Sequence, residues 1–245
     1  MIRLFDNWKK DRVIAGYTTD YEGGFGNNVA EDEPHYRALA NRFNLDLNRM
    51  IRISQKHTDQ ILVATTQNGG EGIVRDNLCE AEDAIITNES ELMLCIVTAD
   101  CVPVFLFDKE KRAIGLSHCG RVGITKDLPR KTVMKMVERY GCNPANIEVI
   151  LGPYLSQAHH EVEAKDIDMF RDYFASEEID RFVVSRGVKF DVDMGEAVYI
   201  SLSKAGVLRE NIYDERVCTF DNTELYSWRR DHDPRKRNLS FLYLE

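Results

Sequence analysis

The 245-residue chain is predicted to fold as one α/β domain, an α+β arrangement in which helices flank a core of mixed sheet. Short apolar runs alternate along the chain with segments of helical periodicity. Most of these runs are continuous rather than alternating, which is typical of strands covered on both faces. No repeat, low-complexity tract or linker divides the sequence. We therefore expect a single domain over residues 1–245, with its layers in the order α/β/β/α.

The apolar runs predict strands at residues 51–54, 61–65, 92–97, 102–107, 113–117 and 147–151. Helical periodicity and end signals predict helices at residues 33–43, 128–140, 166–174 and 195–205. Pro34 suits the first position of the first helix. The second helix carries Val133, Val137 and Tyr140 at spacings of four and three, and Gly141 suits its end.

Composition restricts the class of partner. The formal net charge of −9 and a pI near 5.3 argue against a nucleic-acid-binding surface, which needs a basic face. No stretch approaches the roughly 20 apolar residues of a membrane helix, and the first residues contain no secretory signal. Six cysteines without a pairing pattern are expected to be reduced thiols. We expect a cytoplasmic protein that binds small molecules, neither nucleic acid nor membrane; its oligomeric state stays open.

Three short segments place a metal-binding side chain close to the end of an apolar run. The side chains are His57, Cys101 and His118. Strand ends are where α/β proteins aim reactive groups into a crevice, and imidazole and thiolate are good ligands for zinc and for copper. Two histidines and one cysteine would leave a coordination position open, as catalytic zinc sites do. The long gaps between them match no short-range metal motif, so the residues alone also allow an inert buried cysteine.

A set of short motifs extends in order over nearly the whole chain. The motifs are Gly16-Tyr17-Thr18-Thr19, Asn28, Asn41-Arg42, Gln55-x-His57, Asp83-Ala84, Thr98-x-Asp100-Cys101-x-Pro103, His118-x-Gly120, Gly152-Pro153, Glu161-Val162, Cys218-Thr219 and Ser227-Trp228-Arg229-Arg230-Asp231. This ordered set resembles the bacterial laccase-domain family, also called multicopper polyphenol oxidase-like and assigned as purine nucleoside phosphorylases.

The resemblance implies an activity and a ligand set. By position, His57, Cys101 and His118 would bind a catalytic zinc, with copper as an alternative. The implied reaction is phosphorolysis of adenosine, inosine, guanosine and methylthioadenosine, with deamination of adenosine as a second activity. Nucleoside and phosphate would then be the small-molecule partners.

Five further residues are candidates for the site. Asp100 and Asp83 are candidates for the acid/base carboxylate that such chemistry needs, and Asp83 also for substrate binding. Arg229 and Arg230 suit a phosphate clamp because a guanidinium matches phosphate oxygens in bidentate fashion; a solvated, charged strand end is the alternative. Asn28 could hydrogen-bond a sugar hydroxyl or could be an ordinary turn residue.

Two pairs of ring side chains are ambiguous. His159 and His160 suggest a second metal site, but adjacent residues on regular structure tend to point apart. Trp228 and Tyr226 could stack on a purine, although an aromatic core or strand pair is the commoner arrangement. The sequence therefore supports no second metal site and leaves the aromatic pair open.

The chain departs from the family pattern at two places. After the second zinc histidine the family usually reads Ala-Gly-Trp-Arg-Gly, whereas this chain places Arg121 at the tryptophan and Val122 at the arginine. An early arginine of the family is Asp20 here. If either lost arginine contacts phosphate, phosphorolysis would be weakened while the metal site survives.

Three alternatives to a zinc phosphorylase remain open from the sequence. One is a copper-dependent phenol oxidase, which histidine and cysteine ligation permits. Another is a hydrolase in which Cys101 is the nucleophile and His118 is its base. The third is a diverged, non-catalytic metal-binding protein.

Overall fold

The computed structural model describes residues 1–19, 24–26, 29–76 and 81–245, and these form fourteen strands and seven α-helices. The strands are β1 (Ile2–Leu4), β2 (Val13–Thr18), β3 (Met50–Arg52), β4 (Gln60–Val63), β5 (Glu82–Thr87), β6 (Met93–Thr98), β7 (Val102–Asp108), β8 (Ala113–Cys119), β9 (Glu148–Leu151), β10 (Glu161–Glu163), β11 (Val183–Arg186), β12 (Lys189–Val192), β13 (Ile212–Asp214) and β14 (Asn238–Leu244). The helices are α1 (Val29–Arg42), α2 (Arg121–Thr125), α3 (Leu128–Tyr140), α4 (Ala164–Arg171), α5 (Ser176–Phe182), α6 (Met194–Lys204) and α7 (Trp228–Asp231).

Two mixed sheets pack face to face in the middle of the molecule. One has five strands in the order β1-β2-β14-β6-β3, and the other has six in the order β13-β9-β7-β8-β5-β4. Between them lies a shared core in which Ile51 and Leu94 of the first sheet belong to the same cluster as Phe105 and Leu116 of the second. Each such buried side chain contributes on the order of 2 kcal/mol, so this interface is a main source of stability.

Helix α1 covers the outer face of the five-stranded sheet. Its buried residues Tyr36 and Leu39 share a core cluster with Met93 of β6 and with Phe241 of β14. The five-stranded sheet is therefore covered on both faces, which explains why β6 inside it is a continuous, fully buried apolar run.

Helices α3 and α6 cover the outer face of the six-stranded sheet. Val133 and Met136 of α3 share a core cluster with Val198 of α6 and with Val104 and Leu106 of β7. The layers therefore follow the order α/β/β/α, which confirms the predicted fold class. A smaller antiparallel sheet, β10-β12-β11, is formed by the second half of the chain.

The predicted elements are largely present. All six predicted strands occur with ends within two residues of those expected, and α3 and α6 match the helices predicted at 128–140 and 195–205. The expected start of the first helix is wrong: α1 begins at Val29, so Pro34 lies inside the helix and removes one of its hydrogen bonds. Helix α4 begins two residues earlier than predicted because Asp166 accepts a hydrogen bond from the backbone N–H of Glu163 and caps that end.

The apolar runs predicted six of the fourteen strands in the described residues, and the eight that they missed include β2, β5 and β14. Gly16 interrupts the apolar run of β2, and two acidic residues begin β5. In β14, the polar residues Asn238 and Ser240 interrupt the apolar pattern near its start. The alternative of a charged strand end at residues 229–231 is wrong, because these residues belong to the single turn of α7. The five cysteines in the described residues are all free, as expected for reduced thiols.

The chain passes from the five-stranded to the six-stranded sheet twice, after β3 and after β6. The first passage carries His57 and the second carries Cys101. His118 lies near the end of β8, directly opposite Pro103 at the start of β7. This topology brings three distant segments to one place. In the described residues, no helix is long and apolar enough to cross a bilayer.

Candidate metal centre and cavity

The loop that carries His57 is fixed by buried hydrogen bonds. Gln55 and His57 have positive φ values of 48° and 58°. Residues other than glycine rarely adopt this backbone conformation unless the surrounding structure holds them in it. The Gln55 amide donates to the carbonyl of Val97 over 2.7 Å and accepts from the Val97 N–H over 2.8 Å, so the loop is tied to β6.

The turn that carries Cys101 is held by Asp100, which has a φ of 89°. Its carboxylate accepts a hydrogen bond from the Thr219 hydroxyl and another from the backbone N–H of Arg229, both over 2.6 Å. These bonds join the turn between β6 and β7 to the start of α7, 129 residues later in the chain. Asp100 therefore positions both Cys101 and Arg229.

His118 is held by a carboxylate from the neighbouring strand. Asp83 lies on β5, which pairs with β8, and its Oδ1 accepts from His118 Nδ1 over 2.8 Å. The second oxygen accepts from the backbone N–H groups of Lys56 and Thr58 over 3.0 and 2.6 Å. Asp83 is fully buried. It therefore orients His118 and the His57 loop together.

The three predicted ligands come together in the structure. One ligand atom each of His57, Cys101 and His118 lie within 4.8 Å of one another, and the two imidazole rings are 4.9 Å apart at their centroids. Gly120 leaves space beside them: a Cβ there would come within 3.0 Å of Cys101 Sγ and within 2.9 Å of His57 Cδ2. We call these three residues the triad. Two imidazoles and a thiolate with open space beside them fit a catalytic metal ion.

The ionisation of Cys101 suits a metal, whereas a metal would have to displace a proton from His118. Burial by itself would raise the pKa of the Cys101 thiol, but the neighbouring His118 and His57 rings outweigh it and lower that pKa to about 6. Burial also opposes charge on His118, yet the Cys101 thiolate and the Asp83 carboxylate raise the pKa of its imidazole to about 10. Cys101 is therefore a thiolate at neutral pH, which is the form that binds metals.

The triad borders a cavity of about 370 Å³. His57 and Cys101 line it, together with Asp100, Arg229, the apolar side chains of Leu155 and Met194, and the ring of Trp228. Trp228 is 45% exposed, unusually high for so large an apolar ring. The cavity thus combines metal ligands, a carboxylate, positive charge and an aromatic surface.

The structure separates the two predicted carboxylates. Asp100 lines the cavity, as a residue acting on substrate must. Asp83 does not reach it, because its carboxylate is sealed behind His118 and both of its oxygens accept hydrogen bonds from the protein. Asp83 therefore lies behind His118 and orients it, outside the lining of the cavity.

The two arginines of the predicted phosphate clamp lie in different places. Arg229 lines the cavity, and its guanidinium donates to the carbonyls of His159 and Glu161 over 2.9 and 3.1 Å. Arg230 is not among the lining residues. It donates to backbone carbonyls of the 219–225 loop and pairs with Asp231. Arg230 therefore holds this loop from outside the lining of the cavity.

Two residues of the cavity were not predicted as ligands of substrate. They are Arg121, considered only as a departure from the family, and His160, considered only for a second metal. The available signal was the position of each, one beside Gly120 and the other beside Glu161-Val162. Together with Arg229 they form what we call the arginine cluster. Asn28 and Asp20 lie outside the described residues.

His159 and His160 point apart, as expected for neighbours. His160 lines the cavity, whereas His159 Nε2 lies 2.7 Å from Asp221 Oδ1 and its ring stacks on Phe220. His159, Asp221 and Cys218 do form a second close group of metal-capable atoms. The hydrogen bond to Asp221 already accounts for the position of His159.

The chain was compared with known proteins. A family model described as multi-copper polyphenol oxidoreductase laccase matches residues 22–245. The purine nucleoside phosphorylase YlmD of Bacillus subtilis is 29% identical over 96% of this chain and 90% of its own length. The crystal structure of the hypothetical protein YfiH of Bacillus licheniformis superimposes with a TM-score of 0.92 at 25% identity, covering 100% of this chain and 96% of its own. For YlmD of Geobacillus stearothermophilus the TM-score is 0.89 at 24% identity, covering 96% and 92%.

Proposed function

The chain belongs to the multi-copper polyphenol oxidoreductase laccase family, and we propose that it is a zinc-dependent purine nucleoside phosphorylase. Its substrates would be inorganic phosphate and adenosine, inosine, guanosine or methylthioadenosine, with deamination of adenosine as a second activity. The observation that carries the proposal is the triad at the edge of a cavity that also holds arginines and an exposed tryptophan. The name of the Bacillus subtilis relative points to the same reaction.

His57, Cys101 and His118 would hold the zinc. Bound there, zinc would supply a positive charge that stabilises negative charge developing on a substrate. Asp83 fixes His118 with its Nδ1–H donated to the carboxylate, so the other ring nitrogen is the one available to a metal. The low pKa of Cys101 keeps its sulfur in the ligand form.

Trp228 would bind the purine. Its indole is exposed at the cavity although it is large and apolar, and a stacked heterocycle would cover that surface. The guanidinium of Arg237 lies 5.4 Å from the indole centroid and restrains the ring. Tyr226 does not line the cavity and instead contacts Lys236.

Asp100 would handle the proton in either reaction, in preference to Asp83, because only Asp100 faces the cavity. Each of its oxygens accepts one hydrogen bond from the protein, and a carboxylate oxygen can accept a second. In deamination, the elements of water replace the amino group of adenosine, giving inosine and ammonia. In phosphorolysis, the purine and ribose 1-phosphate are the products.

Product analysis tests the proposal. Zinc-loaded protein is incubated with adenosine, with and without inorganic phosphate, and the products are separated by chromatography. We expect adenine and ribose 1-phosphate only when phosphate is present, and inosine in either case if deamination accompanies it. A Cys101→Ser variant, which removes the thiolate ligand at nearly constant volume, should lose both the metal and the activity.

Metal analysis of each preparation makes the result interpretable. If protein with one equivalent of zinc leaves adenosine and inosine intact in phosphate, the proposal is wrong. Copper-loaded protein is tested on phenols in parallel. A copper-dependent oxidase would oxidise phenols, and this activity would disappear when zinc replaces copper.

A cysteine hydrolase is the second candidate. Cys101 contacts His118, which contacts Asp83, and this is the arrangement of a nucleophile, its base and the carboxylate that orients the base. In that case a thiol alkylator would label Cys101 in metal-free protein, and added zinc would inhibit turnover. In the phosphorylase, zinc is required for turnover, so the two candidates predict opposite responses to the metal.

A further inference from the structure

The arginine cluster (Arg121, His160 and Arg229) lines the cavity beside the triad, and none of its residues belongs to the triad. Its members come from three places: the start of α2, the loop before β10, and α7. The fold thus brings two guanidinium groups and an imidazole into one substrate-sized space.

Two polar atoms of the cluster are buried and unpaired. Within the described part of the chain, Arg121 Nε and His160 Nδ1 have no hydrogen-bond partner. A buried polar group without a partner is unfavourable, so an acceptor that enters the cavity would satisfy the Arg121 N–H group. Arg121 Nε is always a donor, whereas His160 Nδ1 donates or accepts according to its tautomer.

The charge around His160 is positive. Burial lowers the pKa of His160 to about 4, with Arg229 and Arg121 next among the causes, while Asp100 opposes the shift. The Arg229 guanidinium donates to two neutral carbonyls, and among the described residues it forms no ion pair. Arg121 is partly compensated by Asp166, whose carboxylate lies 3.2 Å from its guanidinium. Asp100 also faces this part of the cavity, but the two guanidinium groups outweigh its carboxylate, so the net charge around His160 is positive.

We propose that Arg121, His160 and Arg229 form an anion subsite that holds inorganic phosphate during the reaction. The inference rests on the proposed phosphorolysis and identifies where its second substrate binds. Arg121 and Arg229 donate to phosphate oxygens, and the neutral His160 accepts from or donates to the third side of the same group. Arg121, which stands where the resembling family has tryptophan, thus replaces positive charge that the chain lacks at Val122.

The chemistry balances with the residues in these roles. An oxygen of the held phosphate forms a bond to C1′ of the nucleoside as the bond from C1′ to the purine nitrogen breaks. The electron pair of that bond leaves with the purine, and the proton that phosphate gives up goes to the purine. Positive charge developing on the sugar is stabilised by the attacking phosphate, so the cluster must hold the phosphate without neutralising it fully.

Two cavity variants and one matched control test the subsite. Arg121→Gln removes a charge, and His160→Phe keeps a ring while removing its nitrogens. Arg171→Gln removes one charge from an exposed arginine of α4 that pairs with Asp168. In zinc-loaded protein, we expect Arg121→Gln to raise the KM for phosphate about 10-fold or more, the effect of losing a charged hydrogen bond, with the KM for inosine nearly unchanged. His160→Phe should raise the phosphate KM less, and Arg171→Gln should match the wild type.

Direct binding separates this inference from the proposed function. Inorganic phosphate is titrated calorimetrically into wild-type and Arg121→Gln protein, metal-free and zinc-loaded, because phosphate can also bind zinc. Binding to metal-free wild type that Arg121→Gln weakens, in a protein that cleaves no nucleoside, would support the subsite and reject the phosphorylase. Phosphorolysis with equal phosphate KM in wild type and both cavity variants would overturn the subsite and leave the phosphorylase standing. Absence of phosphate binding in both metal states would also overturn it.

Discussion

The triad and the arginine cluster meet at one cavity, which His57 and Cys101 of the triad line, but each surrounds a histidine with charge of the opposite sign. In the triad, His118 lies against the Cys101 thiolate and the Asp83 carboxylate, which raise the pKa of its imidazole to about 10 despite burial. In the arginine cluster, burial together with Arg229 and Arg121 lowers the pKa of His160 to about 4. Both rings are largely removed from water, so burial alone does not explain the difference.

The sign of the neighbouring charges explains it. Negative neighbours make the triad a site for a cation, and positive neighbours make the arginine cluster a site for an anion. A reaction between a nucleoside and phosphate uses both kinds of site at once. The comparison teaches that residue type is a weaker guide to function than the charges that the fold places around it.

The same substitution at the two histidines has the largest expected effect and tests the comparison most directly. His118→Ala removes one of three ligands, so we expect loss of bound zinc on dialysis and a fall in turnover of about 10³-fold, equivalent to about 4 kcal/mol of lost stabilisation. His160→Ala should retain one equivalent of zinc, because His160 is not in the triad. Zinc content and turnover are measured on both, with circular dichroism to confirm folding. Equal zinc loss in the two variants would show that the two regions are not separate.

The carboxylates that accompany the two regions give a smaller effect. Asp83→Asn is expected to weaken zinc binding about 10- to 100-fold, the usual consequence of losing a carboxylate that orients a ligating histidine. Asp166→Asn removes a half-exposed ion pair of Arg121, worth about 0.2–1 kcal/mol, so it should leave zinc binding unchanged and lower the phosphate KM by at most about 5-fold. Competition with a zinc chelator measures the first effect and steady-state kinetics the second. A higher phosphate KM in Asp166→Asn would contradict the account of Arg121.

The smallest effect is a pH dependence in metal-free protein. The pKa of Cys101 is lowered to about 6, so its thiolate is populated above pH 6 and is lost as the pH falls below 6. We expect the alkylation rate of Cys101 to rise through pH 6 and to level off by about pH 7, because the thiolate is the nucleophile. Burial raises the pKa of Cys95 and Cys119, which should stay unmodified over this range. Mass spectrometry locates the label; a midpoint near pH 9 would remove the electrostatic argument for the triad.

Sequence patterns were a good guide to the local structure. The strands that carry or flank the triad are continuous apolar runs, and α3 ends at Gly141, which has a φ of 68° and donates its N–H to Val137 as a helix-ending glycine does. The missed strands β2, β5 and β14 are buried along nearly their whole length, but a glycine or polar residues interrupt their apolar pattern. Local pattern therefore predicts a buried strand whose residues are all apolar and fails where pairing in the sheet buries a strand of mixed composition.

The sequence by itself determined the fold class, because apolar runs and helical periodicity are properties of short segments. It also singled out His57, Cys101 and His118, through their places near strand ends and through the ordered motifs that resemble the family. Only the tertiary structure decided that Asp83 stands behind His118 and that Arg230 faces away from the cavity. These roles depend on sheet register and on contacts such as the bond from the Arg229 N–H to Asp100, 129 residues away in the chain. The tertiary structure also placed Arg121 and His160 beside Arg229. Which side chain faces a cavity is set by packing between segments that are distant in sequence, and no local pattern encodes that packing.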